Sequence, residues 1–295
     1  MSGIVQLVAA SLLWSVSFGL IKGHLGHLHP AFVGFARLAL TLPVFLPLLR
    51  LRGLATRDAL GLVALGGVQY GLAYSTYLYA YQYLQGHHVA LLTIFTPFYV
   101  IAFDGIRTRQ WAWRGVALAG VAVAGAGVIQ YRGASWQGVA TGVMLMQVAN
   151  ACFAWGQLQY RSLRRRRPAI RDRDVFGLLY VGAVAVTAGT TTVLDGWGTI
   201  SEVDGHAFGV LLYLGVVASG FGFFLWNRGA VTTAPEPLAV LNNVKIPLAV
   251  VASVVVFGES TDLVRLGLGG GLMVFAAWSA QRTSAGPDAA GSPQR

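Results

Sequence analysis

LGGVQYGLAYSTYLYAYQYLQGHHVALLTIFTP, residues 65–97, reads beside LGVVASGFGFFLWNRGAVTTAPEPLAVLNNVKIP, residues 214–247. Gly66 and Gly215, Gly71 and Gly220, and Ala90 and Ala239 pair at a constant offset of 149, and Pro97 and Pro247 follow after a one-residue slip. Upstream, AASLLWS around Trp14 resembles ANACFAWG around Trp155. The order of features over a whole half of the chain, rather than any one identity, marks an internal repeat.

Composition says what kind of segment repeats. The 295 residues are 55% hydrophobic and 11% charged, with a mean hydropathy of +0.62. Soluble domains carry about 25% charged residues, so this chain lacks the charges to cover a soluble surface. About 20 apolar residues span a bilayer as a helix. Ten such runs are expected, near 4–22, 31–49, 59–82, 88–106, 112–130, 138–160, 175–194, 206–227, 237–257 and 263–281. They are continuous rather than alternating, which excludes a β-barrel. No polar stretch is long enough for a soluble domain. The start, Met1-Ser2-Gly3, lacks the basic region and cleavage site of a signal peptide, so 4–22 is read as a retained first span. The Gly/Pro/Ser-rich end, 283–295, has the composition of a disordered tail.

The expected fold is therefore an all-α integral membrane protein with ten transmembrane helices. These form a first five-helix repeat over 1–131 and a second over 135–282. Five is odd, so the second half enters the membrane inverted. Inverted halves place a site at their interface that either side can reach in turn. The net charge of +10 would suggest nucleic acid in a soluble protein; here it reports topology. Sixteen Lys and Arg residues fall in the even loops and C-terminal tail, against Lys22, Arg132 and Arg265 in the odd loops. By the positive-inside rule both termini are cytoplasmic. The run Arg164–Arg167 is read as a topology determinant. Arg37 and Lys245 are the two cations inside spans.

With this layout, the LLWS start of span 1, Arg37 in span 2, the Ala-x-Leu…Pro pattern of spans 4 and 9, and FGE at 257–259, the chain resembles the drug/metabolite transporter superfamily. Specifically it is similar to the ten-span EamA-type exporters, over about 280 residues. Among these it looks most like the bacterial aromatic amino-acid exporters. The resemblance implies a bacterial inner-membrane exporter. FDG at 103–105 departs from the glutamate that first halves of the family often carry near the end of span 4.

Several residues are candidates for a substrate path. Tyr70, Tyr74, Tyr77 and Tyr81 are spaced to share one helical face of span 3, and Tyr99 lies on span 4. Trp14, Trp155 and Trp226 sit inside spans with Asn150, Gln157 and Asn227 near them. Span 9 carries Asn242, Asn243 and Lys245, then Pro247, which cannot donate to the carbonyl of Asn243. Pro97 does the same to the carbonyl of Thr93. The expected substrate-binding set is Trp14, Tyr74, Tyr77, Tyr81, Tyr99, Asn150, Trp155, Trp226, Asn242, Asn243 and Lys245, with Pro97, Pro247 and Arg37 structural or gating. Aromatic faces would stack an apolar side chain, and Lys245 would pair with a carboxylate.

All eleven acids fall at span ends, in loops or in the tail. A proton antiporter places its relay in mid-membrane, so facilitative alternating access is expected. The expected cargo is an aromatic or large neutral amino acid or a related small metabolite. The alternatives are a nucleotide-sugar or other metabolite carrier of the same superfamily and a membrane-embedded lipid-modifying enzyme. No catalytic or ATP-binding motif is present, and no cofactor or metal is expected. Small Gly267 and Gly271 permit a dimer face, but a monomer is the expectation.

Overall fold

The computed structural model describes residues 2–109, 136–233 and 262–284, with isolated positions at 117, 120–121, 124–125, 128, 246, 249–250 and 252–258. Among the described residues all regular structure is helical. The helices are α1 (Gly3–His24), α2 (Pro30–Phe45), α3 (Thr56–Gly66), α4 (Ala73–Ala80), α5 (Gly86–Leu92) and α6 (Thr96–Thr108). They continue as α7 (Trp136–Arg166), α8 (Asp172–Val193), α9 (Gly205–Leu212), α10 (Gly222–Thr232) and α11 (Leu263–Ser284). Most of the expected fifth and ninth spans lies outside the described residues, and Asn242, Asn243, Lys245 and Pro247 lie there too.

Six stretches are long and apolar enough to cross a bilayer: Gly3–His24, Pro30–Leu48, Gly86–Arg107, Gly138–Arg166, Asp172–Val193 and Gly205–Thr232. They coincide with the expected spans 1, 2, 4, 6, 7 and 8. The protein is thus a multi-pass membrane protein. Span 3 is continuous helix over 56–80, but Gln69, Tyr70 and Tyr74 hold its hydropathy below that of the six.

Local chemistry sets the helix ends. Ser2 Oγ accepts the N–H of Val5 at 3.4 Å to open α1, and the Asp204 carboxylate accepts that of Ala207 at 2.7 Å to open α9. Pro30 and Pro97 occupy first-turn positions, where a missing N–H costs nothing. Salt bridges Arg167–Asp58 (3.0 Å) and Arg164–Asp172 (2.7 Å) clamp one end of the bundle, called here the basic end. At the other end, His24 and His206 meet at 3.0 Å.

Three π-helical segments occur among the described residues; Ala252–Val256 is the last of them, and the other two interrupt this framework. Gly67–Leu72 joins α3 to α4, and Tyr213–Phe221 joins α9 to α10. Shifted by 149, the first falls inside the second. A π turn takes up an extra residue and marks functional sites in many helices. Carbonyls of the second segment serve side chains from other helices. Thr41 donates to Gly215 at 2.7 Å, Trp14 to Ala218 at 2.8 Å, and Tyr180 to Ser219 at 2.7 Å. These bonds satisfy backbone groups that no water reaches in a bilayer.

In lipid, helices associate through close packing rather than the hydrophobic effect. α1 packs on α10, α2 and α3 pack on α8, and α4 and α6 pack on α7. Glycine permits the α3–α8 crossing: a Cβ on Gly182 would collide with the Val63 carbonyl, and one on Gly66 with that of Leu179. Gly189, on the same helix α8, has nothing within 4 Å of its would-be Cβ. Gly182→Ala is accordingly expected to lower stability by about 1–3 kcal/mol, while Gly189→Ala is neutral or slightly stabilising. Thermal unfolding in detergent compares the two; equal effects would contradict the packing described.

Candidate functional site

A cavity of about 100 Å³ lies inside the bundle where α1, α2, α4 and α7 converge. Helical spacing brings its lining together. α1 contributes Trp14, Ser17 and Phe18; α4 contributes Ala73, Tyr74 and Tyr77; α7 contributes Met146, Ala149, Asn150 and Phe153. Each set falls on one helical face. Arg37 enters from α2, Phe223 from α10, and Thr93 and Thr96 from the junction of α5 and α6.

Arg37 dominates the electrostatics. It is 1% exposed, and among the described lining residues it is charged while none is acidic. Its Nη2 donates to the Tyr74 hydroxyl at 3.1 Å and to Ser219 Oγ at 3.2 Å, with the Leu214 carbonyl at 3.5 Å. The guanidinium carbon also lies 4.8 Å from the centre of the Tyr74 ring, within cation–π range. Nε and Nη1 are buried and have no hydrogen-bond partner. A guanidinium presents its donors as a planar fork that matches a carboxylate. Here the protein engages Nη2, which belongs to both edges of the fork, and the nitrogens on either side of it have no hydrogen-bond partner.

Aromatic rings form the opposite character of the site. Trp14 lies 5.2 Å from Phe223 and 6.4 Å from Phe153, and those two phenylalanines are 5.9 Å apart. Tyr74 meets Phe223 edge-on at 5.6 Å, and Phe18 lies 6.3 Å from Tyr77. Tyr74 and Phe223 are separated by 149 residues, so the two are repeat-related positions facing each other.

The break before Pro97 is real, but it frees a different carbonyl from the one expected. The chain passes through a 3-10 turn at Thr93–Phe95, in which the Thr93 carbonyl accepts the N–H of Thr96. The Leu92 carbonyl is the one capped from outside, by Asn150 Nδ2 at 2.8 Å, while Asn150 Oδ1 accepts from Thr96 Oγ1 at 3.2 Å. Asn150 therefore lines the cavity as a brace for this break.

Of the expected residues, Trp14, Arg37, Tyr74, Tyr77 and Asn150 converge on the cavity. Trp226 is fully buried behind Trp14, with ring centres 5.2 Å apart, and does not line it. Trp155 faces a separate cleft of about 610 Å³ at the basic end, beside Arg57, Asp58 and Gln159. Tyr81 lies one turn beyond Tyr77, to which its hydroxyl is bonded at 2.9 Å. Tyr99 is half-buried on α6 near Phe103. Tyr70 leaves the tyrosine stripe because the π segment shifts the register. It stacks on Phe223 and Tyr180 and accepts a bond from Asn227. Phe18, Phe153 and Phe223 were missed, although each sits at helical spacing or repeat offset from a residue that was named.

Comparison with known proteins agrees with this architecture. Residues 1–131 match the EamA-like transporter family. A Pseudomonas aeruginosa protein named "Probable biotin transporter" is 35% identical over 274 residues, covering 92% of this chain and 95% of that one. The chain belongs to the EamA-like transporter family. A second relative in it, the "Biotin transporter" of Salmonella typhimurium, is 32% identical over 258 residues, 86% of this chain and 84% of that one. A solved crystal structure, 17% identical, superposes with a TM-score of 0.67 over 96% of this chain and 99% of the other, and shares the fold. As a member of this family the protein is a membrane transporter and not an enzyme.

Removing the Tyr74 hydroxyl should leave a buried guanidinium short of a partner while keeping the ring beneath it. Tyr74→Phe is expected to cost about 1.5–3 kcal/mol, the range for hydrogen bonds to charged groups. Tyr77→Phe, which loses a neutral hydroxyl pair, should cost about 1 kcal/mol. Thermal unfolding in detergent ranks them, and a larger loss for Tyr77→Phe would contradict the placement of Arg37.

Proposed function

We propose that this transporter carries biotin, or a closely similar small monocarboxylate, by alternating access between two inverted five-span halves. The observation that carries the reading is the two unpartnered nitrogens of Arg37, a lining residue of an aromatic cavity whose described lining holds no acid. Biotin has one carboxylate on an apolar chain and a bicycle that fuses an uncharged ureido ring to an apolar thioether ring. The carboxylate would accept from Nη1 or from Nε, which lie on different edges of the guanidinium, and the thioether ring and chain would lie among Trp14, Phe153 and Phe223. The names of the two relatives point to the same cargo.

This reading replaces the amino acid expected from sequence. A zwitterion needs an anion or several carbonyls for its ammonium group, and the described lining supplies no carboxylate. A monoanion instead leaves the occupied cavity neutral, which favours passage through a low-dielectric bundle. Among the described residues no carboxylate is buried, which supports facilitated movement without a proton relay. The two π segments, one repeat apart, support the ten-span inverted arrangement. The basic end, with Arg57 and Arg164–Arg167, is assigned to the cytoplasm of a bacterial inner membrane.

Proteoliposomes holding the purified protein should take up labelled biotin to equilibrium, and unlabelled biotin but not phenylalanine should compete. Arg37→Gln should reduce biotin affinity at least thirtyfold, the lower end of about 2–5 kcal/mol for truncating a buried charge pair. Uptake of phenylalanine and none of biotin would overturn the proposal.

A further inference from the structure

A second cleft, of about 320 Å³, lies at the histidine end of the bundle. The helices that line the central cavity line this cleft as well. On α1, Phe18 faces the cavity and Lys22 the cleft; on α4 the corresponding pair is Tyr77 and Tyr81; on α2 it is Arg37 and Val33. Residues four apart share a helical face, so each helix offers one continuous surface to both spaces, about 6 Å per step. The partition between them is thin: the Tyr77–Tyr81 hydroxyl pair at 2.9 Å, and the Phe18 ring 6.3 Å from that of Tyr77.

Among the described residues lining the cleft, Lys22 carries charge and none is acidic. Its Nζ donates to the Tyr81 carbonyl at 2.7 Å, at the end of α4. That bond uses one of the three donors of an ammonium group. A lysine serving only as a helix cap needs no cleft in front of it. This one opens on a space coaxial with the site of Arg37.

We propose that Lys22 is a second anion-binding site on the substrate path. There the carboxylate docks before the Tyr77–Tyr81 pair parts and Arg37 receives it. The proposal rests on the carboxylate-carrier reading above. Lys22 acts on entry, so its charge governs rate and salt response and not affinity at the central site.

The test measures initial rates of biotin uptake in sealed vesicles of each orientation, at low and high salt, in a Cys152→Ala background. Cys152 is the one native cysteine. K22Q is expected to slow entry about tenfold at low salt and to abolish the salt dependence, in both orientations at sub-saturating biotin, because a facilitative carrier is reversible. Its equilibrium Kd for biotin in detergent should stay within about twofold of the parent. K22R keeps the salt response. K22C should be slow until treated with aminoethyl methanethiosulfonate, which restores a positive charge; the neutral methyl reagent should not rescue it. Unchanged rate and salt response in K22Q, rescue by the neutral reagent, or a matching loss of equilibrium affinity would each overturn the role of Lys22. Parent vesicles that move no biotin would instead overturn the carrier reading on which it rests.

Discussion

A guanidinium buried in a membrane bundle must be compensated, and the arrangement around Arg37 shows what that compensation demands of the chain. An Arg at mid-helix costs about 2.5–3.5 kcal/mol on insertion scales and more in an isolated helix. Here α4 supplies the Tyr74 hydroxyl and ring, and the π segment Tyr213–Phe221 supplies Ser219 Oγ and the Leu214 carbonyl. Both halves of the chain therefore meet at one side chain. Compensation is incomplete, since the buried Nε and Nη1 have no hydrogen-bond partner. A fully satisfied arginine would be a brace alone; in the proposed function this one also donates to the anion that is carried.

The π segments make such a junction possible. An ordinary α-helix uses its carbonyls internally. The segment from Tyr213 to Phe221 also offers the carbonyls of Gly215, Ala218 and Ser219 to Thr41, Trp14 and Tyr180. Gly215 also permits α2 to approach, since a Cβ there would lie 2.7 Å from the carbonyl oxygen of Arg37. Fixing Trp14 by its indole N–H also fixes the aromatic wall of the cavity. Geometry, charge and packing at the site thus depend on the same local departure from regular helix.

Much of this was legible in sequence. Continuous apolar runs placed the helices, and Trp14, Tyr74, Tyr77, Asn150 and Arg37 were named from polarity inside spans. The location of every acid at span ends or beyond was also visible. It was read as evidence about proton coupling; it bears equally on the charge of the cargo, and it disfavours a zwitterion. What was not legible has physical causes. Sequence shows that Arg37 is buried but not which of its nitrogens are engaged, so bracing and binding looked alike. The Tyr70 to Tyr81 stripe assumed a uniform helical period, and the π segment from Gly67 to Leu72 broke it. Trp155 and Trp226 have the right depth but face a different cleft and the back of Trp14. Phe223 was recoverable from the repeat, as the partner of Tyr74 at the 149-residue offset.

The central claim is that an unpartnered nitrogen of Arg37 holds the carboxylate of the transported molecule. A structure determined with biotin bound tests it most directly. The expected result is a carboxylate oxygen about 2.7–2.9 Å from Nε or Nη1 of Arg37, with the bicyclic ring among Trp14, Phe153 and Phe223. Biotin bound with its carboxylate elsewhere, and those two nitrogens still without a partner, would contradict it.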